Sequence, residues 1–297
     1  TPAEDARRRD FTVNALFYNI ADYTVIDHVG GIDDLERGVI RTIGDPDQRF
    51  IEDPVRMMRA LEYAVRLGFS VDPPTVEAIE RQQALIAEAS SSRLTYELLE
   101  CLHSGSARRI HEAWRRAGLF SRAFPDLPLD TDDSVQVLEV VDAQIAAGTP
   151  LADASLLGGF FLPRFLALAA EETDGNGRVN NAQLLARLRA IIAPAAASMH
   201  LSNQALHLMH QGLFTLTKMV RPPDRGRQVV KISRQDYFPV AWELHGFAAR
   251  LGLIPAATRQ GWERALQRLG KGEQPVDEER SERQRPRRRR RRRRPTA

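Results

Sequence analysis

Cysteine occurs once in these 297 residues, at Cys101. A single thiol excludes an internal disulfide, and a reducing cytoplasm is the expected compartment. Long apolar runs are equally scarce. The stretch from Leu151 to Ala170 comes nearest, yet it carries Asp153, Pro163 and Arg164, each costly at a bilayer centre. It reads as a buried core helix, so no membrane span is expected. Also missing is any Ser–His–Asp or reactive-cysteine pattern. His200, His207 and His210 share helical spacing, but neither cysteine nor acid accompanies them, and they read as ordinary helix residues rather than zinc ligands.

A net positive charge is absent from most of the chain, although the formal net charge is +3. From Asp277 onward eleven arginines stand against four acids, so the preceding 276 residues carry 31 basic and 35 acidic groups. The basicity belongs to the tail. Arg287, Arg288, Arg289, Arg290, Arg291, Arg292, Arg293 and Arg294 follow one another without a break. Such a run has too little apolar surface to fold and binds phosphate backbones of any sequence with salt-sensitive affinity. The bland alternative is a solvated tail.

What is present is helical periodicity. Residues 11–21 read as a short, mostly apolar helix, and Tyr23 to His28 and Val39 to Ile43 as β-prone segments with Gly30-Gly31 and Gly38 between them. These strands are expected to complete a small sheet whose other members lie upstream. The chain opens on Thr1 rather than Met, and an upstream domain is expected. Asp53 is placed as an N-cap and Pro54 at the first helical position, followed by an amphipathic helix to Gly68. Helical patterns continue at about 74–88, 93–103, 107–117, 134–147, 151–172, 180–193, 199–219, 234–251 and 256–269. The expected fold class is mainly α: a helical neck and body/tail array with a small α+β remnant at the N-terminus.

Two clusters can carry chemistry. In Arg8-Arg9-Asp10-Phe11-Thr12-Val13-Asn14-Ala15, a cation pair adjoins a carboxylate, a combination suited to phosphate or a metal-bound nucleotide. Asp10 and Asn14, four apart, share a face on a helix. The plain alternative is a capping Asp10 with solvated arginines. In Glu52-Asp53-Pro54-Val55-Arg56-Met57-Met58-Arg59, Arg56 and Arg59 share a face and Asp53 sits at the same end. A carboxylate accepting from adenine N6 and a guanidinium donating to N1 would read the base edge. The alternative is a capped helix with an Asp–Arg surface pair.

Taken together, RRDFTVNA and EDPVRMMRA, with Gly30-Gly31-Ile32-Asp33-Asp34-Leu35 and Val39-Ile40-Arg41 between them and Ser92-Arg93-Leu94-Thr95-Tyr96-Glu97 beyond, resemble the class II nucleotidyltransferases. That family comprises bacterial poly(A) polymerases and CCA-adding tRNA enzymes. The segment Phe17 to Asp27 and the Arg-rich extension resemble the polymerase branch. The resemblance is dense over residues 4–125. It implies residues 1–44 as the C-terminal part of a nucleotidyltransferase head and 45–125 as a nucleotide- and RNA-binding neck. Residues 126–270 then form the body/tail, and 271–297 a disordered RNA-binding tail.

The resemblance assigns Asp10 as a catalytic carboxylate, Arg9 to the incoming nucleotide, Asp53 and Arg56 to the base, and Arg59 to base or phosphate. Asn14 supports the site, and Arg93 and Glu97 brace the neck helices. It further implies Mg²⁺, ATP as substrate, RNA 3′ ends and RNA-decay proteins as partners, and a monomer. One departure is severe. The family's metal site needs Gly-Gly followed by Asp-x-Asp on a strand, whereas Asp33-Asp34 are adjacent and read as a turn entering a short helix; Asp45-Pro46-Asp47 lies in a loop. Beyond Asp10 no metal ligand is expected here, and the chain is expected to be inactive alone. Polyadenylation is the leading expectation. CCA addition to tRNA and a noncatalytic RNA-binding module stand as alternatives.

Overall fold

The computed structural model describes residues 1–128, 132–175, 177–223 and 226–270. Helix α1 (Pro2–Arg8) delivers Arg8 and Arg9 to a short extended segment. There Phe11, fully buried, bridges Thr42 in antiparallel fashion. Thr12 N–H donates to Arg41 O at 3.0 Å and Ile43 N–H to Asp10 O at 3.1 Å.

The helix expected over residues 11–21 does not form. One 3-10 turn, Thr12–Asn14, is followed by β1 (Phe17–Asn19) and β2 (Thr24–Ile26), an antiparallel hairpin. The reason is partly tertiary, since Phe11 finds its backbone partner in Thr42. It is partly local, since Phe17, Tyr18, Thr24 and Val25 favour strand. Asp22 Oδ1 closes the turn by accepting from Thr24 N–H (3.1 Å) and Oγ1–H (2.7 Å), with Tyr23 at φ 62°.

Next come α2 (Gly31–Arg37) and β3 (Val39–Ile40). The Asp27 carboxylate accepts from the N–H groups of Val29, Gly30 and Ile32 at 2.9, 3.0 and 3.0 Å. Burial disfavours its charge, but these bonds outweigh it and hold its pKa below the ordinary value. Gly30 is left-handed at φ 84°, and a Cβ on Gly31 would lie 2.2 Å from the Thr12 carbonyl oxygen. The glycine pair therefore serves a turn, as the sequence suggested, and a close approach that the sequence did not show. Asp34, buried, accepts from Thr12 Oγ1 at 2.7 Å and Arg41 Nε at 3.0 Å, while Arg41 Nη1 reaches Asp72 at 3.0 Å.

Helices α3 (Pro46–Glu52) and α4 (Val55–Leu67) meet at Asp53 and Pro54. Asp45-Pro46-Asp47 is not the loop expected, because the Asp45 side chain caps α3 by accepting from Asp47 N–H at 3.1 Å and Pro46 opens the helix. Asp53 is not the side-chain N-cap expected of it. It ends α3, Pro54 occupies the cap of α4, and no side-chain cap bond forms there. A strand without any sequence signal, β4 (Ser70–Val71), pairs parallel with β3; two residues carry no alternation to read.

The remainder is helical, as expected, although the helices over Phe120–Ala123 and Gly226–Ser233 lie outside the expected patterns. It comprises α5 (Pro73–Gln82) with a 3-10 continuation through Glu88, α6 (Ser91–His103), α7 (Ala107–Arg116), α8 (Phe120–Ala123) and α9 (Asp132–Ala146). Beyond these lie α10 (Asp153–Glu171), α11 (Asn181–Ser198), α12 (Asn203–Leu216), α13 (Gly226–Ser233), α14 (Phe238–Arg250) and α15 (Ala256–Gly270).

One contiguous apolar cluster runs from Phe11 and Phe50 through Met57, Met58 and Trp114 to Phe165 and Phe247. The Trp114 indole donates to Met58 O at 2.9 Å, fixing α7 on α4. Among the described residues α10 is the one helix long and apolar enough to cross a membrane. It packs on α9, α11, α12 and α14, burying Phe160, Phe161 and Phe165. Each buried phenyl contributes about 1.5–3 kcal/mol, which accounts for its apolar run as core.

Candidate functional site

The bridge between Phe11 and Thr42 aims Asp10 at the face of α4. Arg59, one turn into α4, donates from Nε to Asp10 Oδ2 at 2.8 Å, from Nη1 to Glu97 Oε1 at 3.2 Å and from Nη2 to the Tyr63 hydroxyl at 2.6 Å. The other Asp10 oxygen accepts from Asn14 Nδ2 and Phe11 N–H, both at 3.1 Å. Asp10 and Asn14 thus meet as their spacing suggested, although across a 3-10 turn rather than along a helix.

Burial works against the Arg59 charge. Asp10, Tyr63 and Glu97 outweigh it and raise the guanidinium's pKa above its ordinary value. Burial likewise pushes Glu97 and the Tyr63 phenol up, with Arg59 opposing in each case. This is a buried, charge-assisted network, and it fixes both carboxylate oxygens of Asp10 in orientation.

Arg49 ties the second half of the site to the first. Its Nη2 donates to Arg8 O at 2.9 Å and Arg9 O at 2.7 Å, and its Nη1 to Glu52 at 2.8 Å. Its own carbonyl accepts from Arg56 Nη1 at 3.1 Å. Asp53 pairs with Arg93 at 2.9 Å and stands 3.9 Å from Arg56 Nε. Arg8, Arg9, Asp10, Asn14, Asp53, Arg56, Arg59, Tyr63 and Arg93 line one open, polar cleft of about 630 Å³. Five guanidinium groups face two carboxylates there, an excess of positive charge suited to an anion.

Residues 1–41 match the family model of the "Poly A polymerase head domain", and residues 68–129 that of the "Probable RNA and SrmB- binding site of polymerase A". The chain is 42% identical over 147 residues to Poly(A) polymerase I of Salmonella typhimurium, a match covering 49% of this chain and 32% of that protein. With Poly(A) polymerase I of Escherichia coli O6:H1 the identity is 31% over 257 residues, covering 84% and 55% respectively. The CCA-adding enzyme of Bacillus stearothermophilus, solved in complex with CTP, is similar at a TM-score of 0.55 and 26% identity, covering 89% of this chain and 59% of that one. Over most of its length the chain is similar to bacterial poly(A) polymerases and CCA-adding enzymes. It spans about half the length, or less, of the curated relatives it matches.

Of the residues this family resemblance singled out, Arg9, Asp10, Asn14, Asp53, Arg56 and Arg59 all line the same cleft. Arg287 to Arg294 lie outside the described residues. Arg93, expected to brace helices, also lines the cleft; Glu97 lies buried behind Arg59. Sequence reasoning missed Arg49 and Tyr63. Tyr63 had a signal, its place four residues after Arg59 on one helix face. Arg49 showed only its i, i+3 spacing to Glu52, because the partners that tie it to the site are backbone carbonyls.

The divalent metal implied by the family does not fit the residues described. Among them no group of three His, Cys, Asp or Glu side chains is arranged to hold a metal ion. Both Asp10 oxygens are engaged, and Asp34 is committed to Thr12 and Arg41. No chemical step is therefore derived through a metal here.

Proposed function

We propose that this chain binds ATP in the arginine-lined cleft and serves the transfer of AMP units to RNA 3′ ends, the activity of a poly(A) polymerase. The observation that carries this reading is the convergence of Arg8, Arg9, Asp53, Arg56 and Arg93 around an immobilised Asp10. A triphosphate matches the excess of guanidinium groups. Arg8 and Arg9, both exposed, take the phosphates. Asp53 accepts from the adenine amino group while Arg56 donates to N1. Arg59 holds Asp10 rather than the ligand. In the transfer the RNA 3′-oxygen bonds to the α-phosphorus, the α–β bridging bond breaks and pyrophosphate leaves, its charge stabilised by the cations.

Asp10 alone does not supply the carboxylates that such a transfer uses in a two-metal site. We therefore also propose that residues 1–297 bind nucleotide without polymerising it by themselves. CCA addition to tRNA is the rival, favoured by the likeness to the Bacillus stearothermophilus enzyme. Two measurements test the reading. Calorimetric titration of the chain is expected to give ATP binding that Arg56→Ala weakens at least tenfold; no ATP binding removes the proposal. The natural protein that carries these residues, given ATP alone and an unstructured RNA, is expected to add many nucleotides. Growth that stops after one adenosine supports CCA addition instead.

A further inference from the structure

Residues 1–276 carry more acids than bases, yet the segment from Lys218 to Arg234 reverses this in sequence, with six cations and the single acid Asp224. The reversal has a structural counterpart on α13. Arg227 and Lys231 are four apart and Arg234 comes three later, a spacing that sets them along one face. Lys218, just beyond α12, stands nearby with its ammonium 5.5 Å from the Phe214 ring, and its carbonyl accepts from Gln228 Nε2 at 2.9 Å. Two adjoining clefts of about 410 and 440 Å³ share Arg227, Lys231 and Gln235 in their linings, and among the described residues no carboxylate lines either. The first adds Lys218, Ile232 and Tyr237, the second Val230 and Arg234. Lys218, Lys231 and Arg234 are exposed and pair with no carboxylate among the described residues.

We infer that this face of α12–α13 binds the backbone of a single-stranded RNA segment, at a site separate from the arginine cleft. The inference rests on the RNA-directed reading of the chain, and the face lies outside residues 68–129. A polyphosphate strand carries condensed counterions, which Lys218, Lys231 and Arg234 would displace on binding, and this release drives binding of any sequence. Tyr237, which lines the first cleft together with Ile232, adds an aromatic platform on which a base can lie. A positive groove with an aromatic platform is the combination that single strands use. An acidic peptide would meet the cations but leave that platform idle.

The test uses the full chain, a fluorescein-labelled unstructured RNA of twenty nucleotides, and anisotropy titrations over a range of salt concentrations. Lys231→Ala/Arg234→Ala is expected to weaken binding and to make the salt slope shallower by about 1.4, the value for two lost phosphate contacts on a single strand. ATP affinity is expected to stay unchanged. Cross-linking with 4-thiouridine RNA, mapped by mass spectrometry, is expected to label the peptide containing Tyr237; this readout holds even if the variant folds poorly. RNA binding with slope and affinity unchanged by the substitution, and no Tyr237 cross-link, overturns this inference alone. Failure of the unsubstituted chain to bind RNA overturns it together with the proposed function. Displacement of the RNA by polyglutamate at lower concentration than by unlabelled RNA assigns the face to an acidic protein, and also overturns it.

Discussion

Arg59 Nε donates to Asp10 Oδ2 at 2.8 Å, joining a side chain of α4 to the extended segment after α1. The same guanidinium serves Glu97, 4% exposed, and Tyr63. Arg59→Met keeps the volume and removes the charge, leaving the Glu97 and Asp10 carboxylates without their cation. A destabilisation of about 3 kcal/mol is expected, the lower end of the cost of removing one partner from a buried ion pair. Urea denaturation measures it. Adding Glu97→Gln to Arg59→Met is expected to restore part of the loss, and strictly additive effects would show that the two groups are not coupled.

Arg49 is expected to act on the nucleotide without touching it. Its fork on the carbonyls of Arg8 and Arg9 sets the register of the phosphate-facing arginines against Asp53 and Arg56. Arg49→Lys retains the charge but loses the paired bonds. Stability is expected to fall by about 1 kcal/mol, while ATP affinity falls about tenfold or more, because small displacements of positioning groups are costly. A stability loss with unaltered ATP affinity would leave Arg49 a purely structural residue.

Much of the site was legible in the sequence because its members fall into two short segments. Asp10 with Asn14, and Asp53 with Arg56 and Arg59, each sit within one or two turns of chain, where spacing maps onto direction. The helical body was legible for the same reason, its apolar residues recurring at the helical period from α4 to α15. What failed depended on partners distant in sequence. The segment after Phe11 looked helical by composition, but the bridge to Thr42 pulled it into extended form. Asp53 had the residue type of an N-cap, yet its carboxylate is drawn to Arg93 instead. The tie of Arg49 to Arg8 and Arg9 was invisible because carbonyl acceptors carry no side-chain signature; its spacing to Glu52 pointed only to a local helix pair. β4 is defined solely by its pairing with β3.

The two adjacent glycines make separable predictions. Gly30 sits at φ 84° with open space around its missing Cβ, so Gly30→Ala costs only the left-handed conformation, about 1–2 kcal/mol. At Gly31 a methyl would stand 2.2 Å from the Thr12 carbonyl oxygen and 3.1 Å from Leu16. Backbone cannot rotate away as a side chain can, so α2 must shift and the Thr12–Asp34 hydrogen bond with it. Gly31→Ala is expected to be the more damaging, at about 3 kcal/mol. Thermal unfolding of the two variants side by side gives the order, and equal losses would refute the contact.

Glu62 offers a pH signature. Its side chain is buried on α4, with Arg66 Nη1 at 2.9 Å, and faces Arg59 and Glu100. Burial raises its pKa above the ordinary value of 4.5, and Arg66 and Arg59 only partly oppose this. A raised folded pKa means that the folded state binds the proton more tightly than the unfolded chain. The resulting stability is fully present below the unfolded value and is lost as pH rises through the folded one. Glu62→Gln mimics the protonated form and does not titrate. The difference in urea midpoint between the unsubstituted chain and Glu62→Gln is therefore expected to shift in favour of the variant as pH rises from about 4 to 7, with other carboxylates cancelling in the comparison. A difference that stays flat across that interval would mean that Arg66 fully compensates the burial of Glu62.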